Sequence, residues 1–405
     1  LIGAEINGDA VEDGFGRSVS LSEDGTIMAV GAPYNDDGGA EAGHVKVFKF
    51  SGTVWQQIGS DIDGAAGDNS GSSVSLSADG TILAIGLPYN QTNIGQVKIY
   101  KYDESTWTPI GVITPTNIDS GSNKKVSKQF GNDVRLSSDG KTLAVSDIWF
   151  SKENGNNAGR IVVYRYDGTN WNPLGNETAL HGSSNDNFSW GISLSADGNI
   201  IAVGGHESDE TGNDNKGKVI IYNWNGTIWE IKDTIYGENS GEKFGTAVDL
   251  NSNGLIVAVG SVKDKPDNLS GQGSVSVYFW DGSNYSVLGS DIKGEQKYDY
   301  FGAHISLDNE GNTLAIMAPG HDNNSSPSIS LGHVKIYNYD INLTSWVQSP
   351  ASDVEIEGEA NGDQSFNNNA ESKGQRVFLS GDGSVLAIGA DQNDGNGTDS
   401  GHVRV

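Results

Sequence analysis

The sequence predicts an all-β fold: a seven-bladed β-propeller of four-stranded antiparallel blades, closed by the N-terminal strand pairing in the last blade. Three observations predict it. One apolar segment recurs seven times with an alanine in register, a turn signal precedes every copy, and the two chain ends read as complementary parts of one blade.

The recurring segments are TIMAVGAP (26–33), TILAIGLP (81–88), KTLAVSDI (141–148), NIIAVGGH (199–206), LIVAVGSV (255–262), NTLAIMAP (312–319) and SVLAIGAD (384–391). Their alanines, Ala29, Ala84, Ala144, Ala202, Ala258, Ala315 and Ala387, are spaced by 55, 60, 58, 56, 57 and 72 residues. A period in this range marks a repeat architecture. Ahead of each lies an alternating stretch such as SVSLS (18–22 and 73–77), and between the two stands Asp24-Gly25, Asp79-Gly80, Asp139-Gly140, Asp197-Gly198, Asn253-Gly254, Glu310-Gly311 or Asp382-Gly383. Such pairs favour a two-residue hairpin with both residues at positive φ, so the stretches are strands A and B. A polar loop then leads to strand C, as in VKVF (45–48), VKIY (97–100) or VSVY (275–278). Strand D begins near a tryptophan and ends in Ile-x-Gly, as in Trp55 with Ile62-Asp63-Gly64.

Four strands at a near-constant period describe a propeller blade. The blades span about 15–64, 70–118, 130–180, 190–237, 244–294, 301–358 and 373–405, the last completed by 1–8, so 1–405 is one domain. The seventh unit stops within strand C at Val403-Arg404-Val405, and the chain opens on Leu1-Ile2-Gly3-Ala4-Glu5-Ile6-Asn7-Gly8, which matches strand D. Joining them restores one period and removes two bare sheet edges. A helical solenoid is excluded, since nothing repeats at 3.6 residues.

Composition narrows the function classes. The formal net charge of −28 argues against nucleic acid, whose binding neutralises phosphates with Lys and Arg, and against anionic membrane surfaces. The longest apolar runs are too short to cross a bilayer as a helix. Without cysteine there is neither thiol chemistry nor a disulfide framework. Opening on Leu1 leaves two readings, a leader already removed or a piece of a larger multi-domain protein.

Phe15-Gly16 followed by Gly31-Ala32-Pro33 resembles the FG-GAP repeat of integrin α-subunit heads and microbial surface proteins. Phe130-Gly131, Phe244-Gly245 and Phe301-Gly302 repeat its first half, and Trp190-Gly191 reads as a close variant. The resemblance implies a seven-bladed propeller used for extracellular recognition, secreted or at a cell surface. Integrin-like repeats also carry Ca²⁺ in an Asp-x-Asp-x-Asp-Gly loop between strands A and B. Here that place holds Ser-Glu-Asp-Gly (22–25) or its relatives, too few oxygens for an ion that takes six to eight, so that site does not transfer.

In a propeller the B–C loops and D–A connections share one face. Its B–C loops carry the candidate ligand-binding residues His206, Asp209, Glu210, Asp214, His321, Asp322, Asp391 and Asp394. Their carboxylates, carboxamides and glycines suit a hard cation, Ca²⁺ above all, or a polyol. A carboxylate also recurs two residues before the Phe-Gly position, at Asp13, Asp68, Glu242, Asp299 and Glu371, with Lys128 and Phe188 as exceptions. It is either an acidic, cation-binding ring at the channel mouth or a set of acceptors that fix each turn. His44, His333 and His402 share one register on separate blades, which argues against a joint metal site. Two stretches break the repeat, 112–129 and 359–373.

No His-Glu-x-x-His, Gly-x-Ser-x-Gly or phosphate-cradling loop is present. The expected function is therefore a non-enzymatic recognition or adhesion module, binding a glycan or extracellular protein with or without Ca²⁺. The alternatives are a polysaccharide-active hydrolase or lyase with acids at the channel mouth, and an architectural unit of a larger adhesin or filament.

Overall fold

The computed structural model describes residues 1–89, 94–115, 129–151, 158–175, 180–183, 186–208, 214–321, 332–349, 356–357, 376–394 and 396–405. The described residues form seven antiparallel sheets and no helix. In the first, strand A is Ser18–Leu21, strand B Ile27–Ala32 and strand C His44–Phe50, while strand D comes in two pieces, Trp55–Gln57 and Ile62–Asp63, both paired with strand C. The other strands A are Ser73–Leu76, Phe130–Leu136, Phe188–Leu194, Phe244–Leu250, His304–Leu307 and Val377–Leu379.

The core lies between sheets. The in-register alanines are all fully buried, and the apolar clusters join neighbouring blades, as where Ala84, Val97 and Ile99 meet Phe130, Val134, Leu143 and Val145. A small side chain on strand B lets the next sheet approach closely, while β-branched neighbours fill the gap.

Seven backbone hydrogen bonds close the ring on the A–B turn face. Glu23 N–H donates to Ala78 O, Ala78 to Ser138, Ser138 to Ala196, Ala196 to Ser252, Ser252 to Asn309, Asn309 to Gly381, and Gly381 back to Glu23, all at 2.7–3.0 Å. The seventh sheet takes its outer strand from the N-terminus: Ile6 pairs with Val403 and Asn7 with His402, and Ile2 N–H donates to Val405 O at 2.6 Å. On the rim, tryptophan Nε1 groups tie blade to blade, with Trp55 donating to Ile2 O (2.9 Å) and Trp107 to Ile58 O (3.1 Å).

Two sequence expectations are corrected. The A–B turns are not two-residue hairpins with both residues at positive φ. Gly25 alone is left-handed (φ 66°), and its N–H bonds Ser22 O at 2.9 Å, so the chain makes a four-residue turn ending in glycine. Asp24 instead spends Oδ1 on Ser22 Oγ (2.7 Å) and Thr26 N–H (3.0 Å), which the right-handed turn allows. In the fourth blade the Phe-Gly position belongs to Phe188-Ser189, not Trp190-Gly191: Phe188 pairs with Gly205 as Phe244 does with Ser261. Ser189 holds φ 77° where Gly16 has 91° and Gly245 has 88°, which hid the register.

Ser189 is fully buried, and its hydroxyl lacks a partner among the described residues. Ser189→Gly is expected to stabilise the protein by about 1 kcal/mol in urea unfolding, by relieving left-handed strain and an unmet hydroxyl. Gly16→Ala is expected to cost about 2 kcal/mol or more, since its Cβ would stand 2.6 Å from the His402 carbonyl oxygen.

Candidate functional site

The turn carboxylates come first, because the repeat supplies them most often. Asp13 accepts Ala10 N–H (3.0 Å), Asp68 accepts Ala65 N–H (3.0 Å), Glu242 accepts Glu238 and Asn239 N–H, and Asp299 accepts Glu295 and Gln296 N–H. Each stands on its own blade, buried, and spends oxygen on its own D–A turn. With Phe188 in the Phe-Gly position, the fourth blade supplies Asp186, which accepts Ser183 N–H at 2.8 Å; sequence reading missed it through the shifted register. Glu371 lies outside the described residues, as do Asp209, Glu210 and Asp322.

The described B–C loop residues divide. His321 is brought onto Asp299, its Nδ1 3.1 Å from Oδ1, and its ring stacks on His333 at 3.9 Å. His206 is buried under Trp190, ring centroids 4.8 Å apart, and burial, helped by Lys243 and Lys263, lowers its pKa to about 3. Asp214 faces Lys216 at 3.9 Å, and Asp394 accepts Asp399 N–H at 2.9 Å within its own loop. Asp391 is buried and holds two arginines of the inner strands' channel-mouth end, Arg17 Nη1 at 3.0 Å and Arg376 Nη2 at 2.8 Å.

Arg17 leads to a feature that sequence reading did not single out. Its charge is felt by Tyr34 and Tyr89, and Tyr89 hydrogen-bonds Gln129, whose Oε1 also accepts Trp149 Nε1–H at 2.8 Å. Tyr34 and Tyr89 are 42% and 41% exposed, and Trp149 is half-buried. The three rings occupy one register on successive blades, the second residue past the end of strand B, so they form an arc on the B–C face beside Arg17 and Gln129. The signal was present in Pro33-Tyr34, Pro88-Tyr89 and Ile148-Trp149, at the edge of the repeat.

Outward on the same face, between the outer strand of the fourth blade and the fifth blade, a pocket of ≈ 350 Å³ is lined by Tyr236, Glu238, Glu242, Asp264, Tyr278 and Asp291 among others. Burial raises the Glu242 carboxyl to about 7 against the pull of its two N–H donors, and Asp264 adds to the rise. Asp264 Oδ2 accepts Ser274 Oγ–H and Asp291 Oδ1 accepts Ser276 Oγ–H, both at 2.7 Å.

The channel floor, ≈ 140 Å³, is large enough for a few waters and is lined from all seven blades. Here serine hydroxyls accept the next blade's amide, as Ser20 does from Leu76 N–H (3.0 Å). Asp249 replaces serine in that role and accepts Leu307 N–H at 2.8 Å; Arg135, at the same register, pairs with Asp133 at 2.8 Å. Burial is the largest cause raising both Asp133 and Asp249 to about 6.

A calcium ion, implied by the FG-GAP resemblance, does not fit the A–B turns. Five of the seven have one aspartate whose Oδ1 is already taken, as in Asp79 with Ser77 Oγ and Thr81 N–H, or Asp382 with Ser380 Oγ and Ser384 N–H; the fifth has only Asn251 and Asn253, and in the sixth Asp308 Oδ1 accepts Asn312 N–H.

Comparison with known proteins gives a family match and a set of solved structures. The FG-GAP repeat family matches residues 7–48. No curated protein matches the sequence. The periplasmic gluconolactonase of Pseudomonas aeruginosa is 14% identical, over 85% of this chain and 86% of that one, at a TM-score of 0.53. A putative 6-phosphogluconolactonase from Bacteroides uniformis is 10% identical over 88% of each chain, at 0.56, and Kuenenia stuttgartiensis hydrazine synthase is 13% identical over 99% of each, at 0.56. At such identities the likeness shows the fold.

The expectation of a non-enzymatic module is thereby corrected: solved propellers of this shape carry enzyme names. Missing linear motifs are a poor guide here, because a propeller site is assembled from loops of several blades and leaves no short signature. The repeat match over residues 7–48 and the closed ring of seven sheets together support a seven-bladed β-propeller carrying FG-GAP repeats.

Proposed function

We propose that the B–C face recognises a carbohydrate chain, and that the protein works outside the cytoplasm, secreted or at a cell surface. The arc of Tyr34, Tyr89 and Trp149 beside Arg17 and Gln129 carries this reading. A sugar ring has an apolar C–H face and a rim of hydroxyls. Flat aromatic rings with polar tips cover the first, while a guanidinium and a carboxamide hold the second. Three rings on successive blades match an extended ligand better than a single sugar. A protein partner would call for a wider apolar patch than this narrow arc, interrupted by polar groups.

A second reading, hydrolysis of the bound ligand, is favoured by Glu242. A carboxyl still protonated near neutral pH serves as a general acid, and a neighbouring carboxyl group such as that of Asp264 supplies the second member of a hydrolytic pair.

A glycan array is expected to show binding that Tyr89→Ala weakens about tenfold, ~1.4 kcal/mol, while Ile231→Ala, exposed on an outer strand, leaves it unchanged. Binding indifferent to Tyr89→Ala defeats the first reading. For the second, reducing-end release is expected to fall as pH rises through about 7 and to vanish in Glu242→Gln while binding persists.

The same residue sets a stability trend. Its folded pKa is raised above the unfolded value, so its contribution is fully present below about pH 4 and is lost as pH rises through about 7. Between pH 5 and 8 the melting temperature of the native protein is expected to fall more steeply than that of Glu242→Gln, as read by calorimetry.

A further inference from the structure

We propose that His44, Asp9, Asp37 and Asp61 form a binding site for a first-row divalent cation of the Zn²⁺ type, placed where the N-terminal strand hands over to the first blade. One ligand atom from each lies within 4.8 Å of all the others, the spacing of donors that could close on one ion with bonds near 2.0–2.2 Å.

The four groups arrive from four parts of the fold. Asp9 follows the N-terminal strand Ile6–Asn7, Asp37 sits in the first B–C loop, His44 opens strand C, and Asp61 directly precedes the outer strand Ile62–Asp63. Acidic side chains meet on many surfaces without purpose, so the imidazole decides the matter. His44 is 0% exposed, and neither ring nitrogen has a hydrogen-bond partner among the described residues. A buried polar group left in that state costs free energy that a partner would recover, and the atoms its ring faces are carboxylate oxygens, gathered as ligands are.

Lys46 tells what the site lacks. Its ammonium bonds Asp9 and stands 3.6 Å from Asp61, a tethered cation beside two of the three carboxylates. One positive charge against three negative leaves a deficit of two, which a single divalent ion balances. An imidazole nitrogen with three carboxylates suits Zn²⁺, which takes four N and O donors; Ca²⁺ takes six to eight oxygens and has no use for the ring. The sixth blade has Glu295, His321 and His333 in a comparable group, but with one carboxylate where the first blade has three.

The chelator-treated full chain, titrated with ZnCl₂ by calorimetry and by thermal melting, tests this. Zn²⁺ is expected to raise the melting temperature by several degrees, and CaCl₂ at equal concentration to do far less. Asp37→Asn, on an exposed loop and harmless to the fold, is expected to weaken the affinity at least tenfold. His44→Phe is expected to abolish Zn²⁺ binding at this site, and Lys46→Met, by deleting the competing ammonium, to tighten binding. Failure of the native chain to bind Zn²⁺, Ca²⁺ binding as tightly as Zn²⁺, or a Zn²⁺ affinity unmoved by Asp37→Asn would each overturn the assignment.

Discussion

Circular closure is the constraint on which everything else in this molecule rests. Each sheet buries both faces against neighbours, so no blade is complete alone, and a chain of blades left open would expose two apolar faces. The ring of backbone hydrogen bonds from Glu23 through Gly381 and back fixes the number at seven. The pairing of Ile6 with Val403 then draws both chain ends into one sheet, so that opening the ring means breaking a blade. The fully buried alanine of every strand B follows from the same demand, since a larger side chain there would push adjoining sheets apart.

Closure also separates repeated chemistry from individual chemistry. The aspartates of the A–B turns, the carboxylates of the D–A turns and the serines of the inner strands hold one turn or one neighbouring strand each. What a ligand could use is found where a blade departs from that pattern. Tyr34, Tyr89 and Trp149 follow the last shared residues of strand B on three blades only; the fifth and sixth have Lys263 and Gly320 there. Glu242 performs the common turn role, yet the burial of its pocket, with Asp264 adding, sets its proton affinity apart.

Much of the fold could be read from residues alone because the repeat averages out local ambiguity. Seven alanines in register say more than any one propensity, and the match of Leu1–Gly8 to strand D settled how the ring closes. A copy that breaks the consensus is harder to read. Ser189 in a glycine's left-handed place shifted the fourth register by two residues and concealed Asp186. The Asp-Gly pairs read as two-residue hairpins because the pair alone does not show that a serine hydroxyl two residues earlier will claim the carboxylate. The site was harder still. Arg17 and Asp391 lie at opposite ends of the sequence and meet because the ring closes, so nothing local in the chain announces their contact.

That contact also bears on which ligands the face admits. Across the mouth, Arg17 and Arg376 share the single carboxylate of Asp391, and Arg376, although burial lowers it to about 10, stays charged at neutral pH. Burial, with the arginines adding, keeps His304 neutral by pushing its pKa well below 6.5. The mouth thus holds a surplus positive charge inside a chain whose formal net charge is −28. At low salt an approaching anion meets the repulsion of the whole surface; at physiological salt, with a Debye length of about 8 Å, that long-range repulsion is screened and Arg17 dominates at contact. A neutral sugar feels neither effect strongly and is selected by the rings. An acidic one pays at long range and gains at contact, so its association should quicken with added salt while its bound state is held by Arg17.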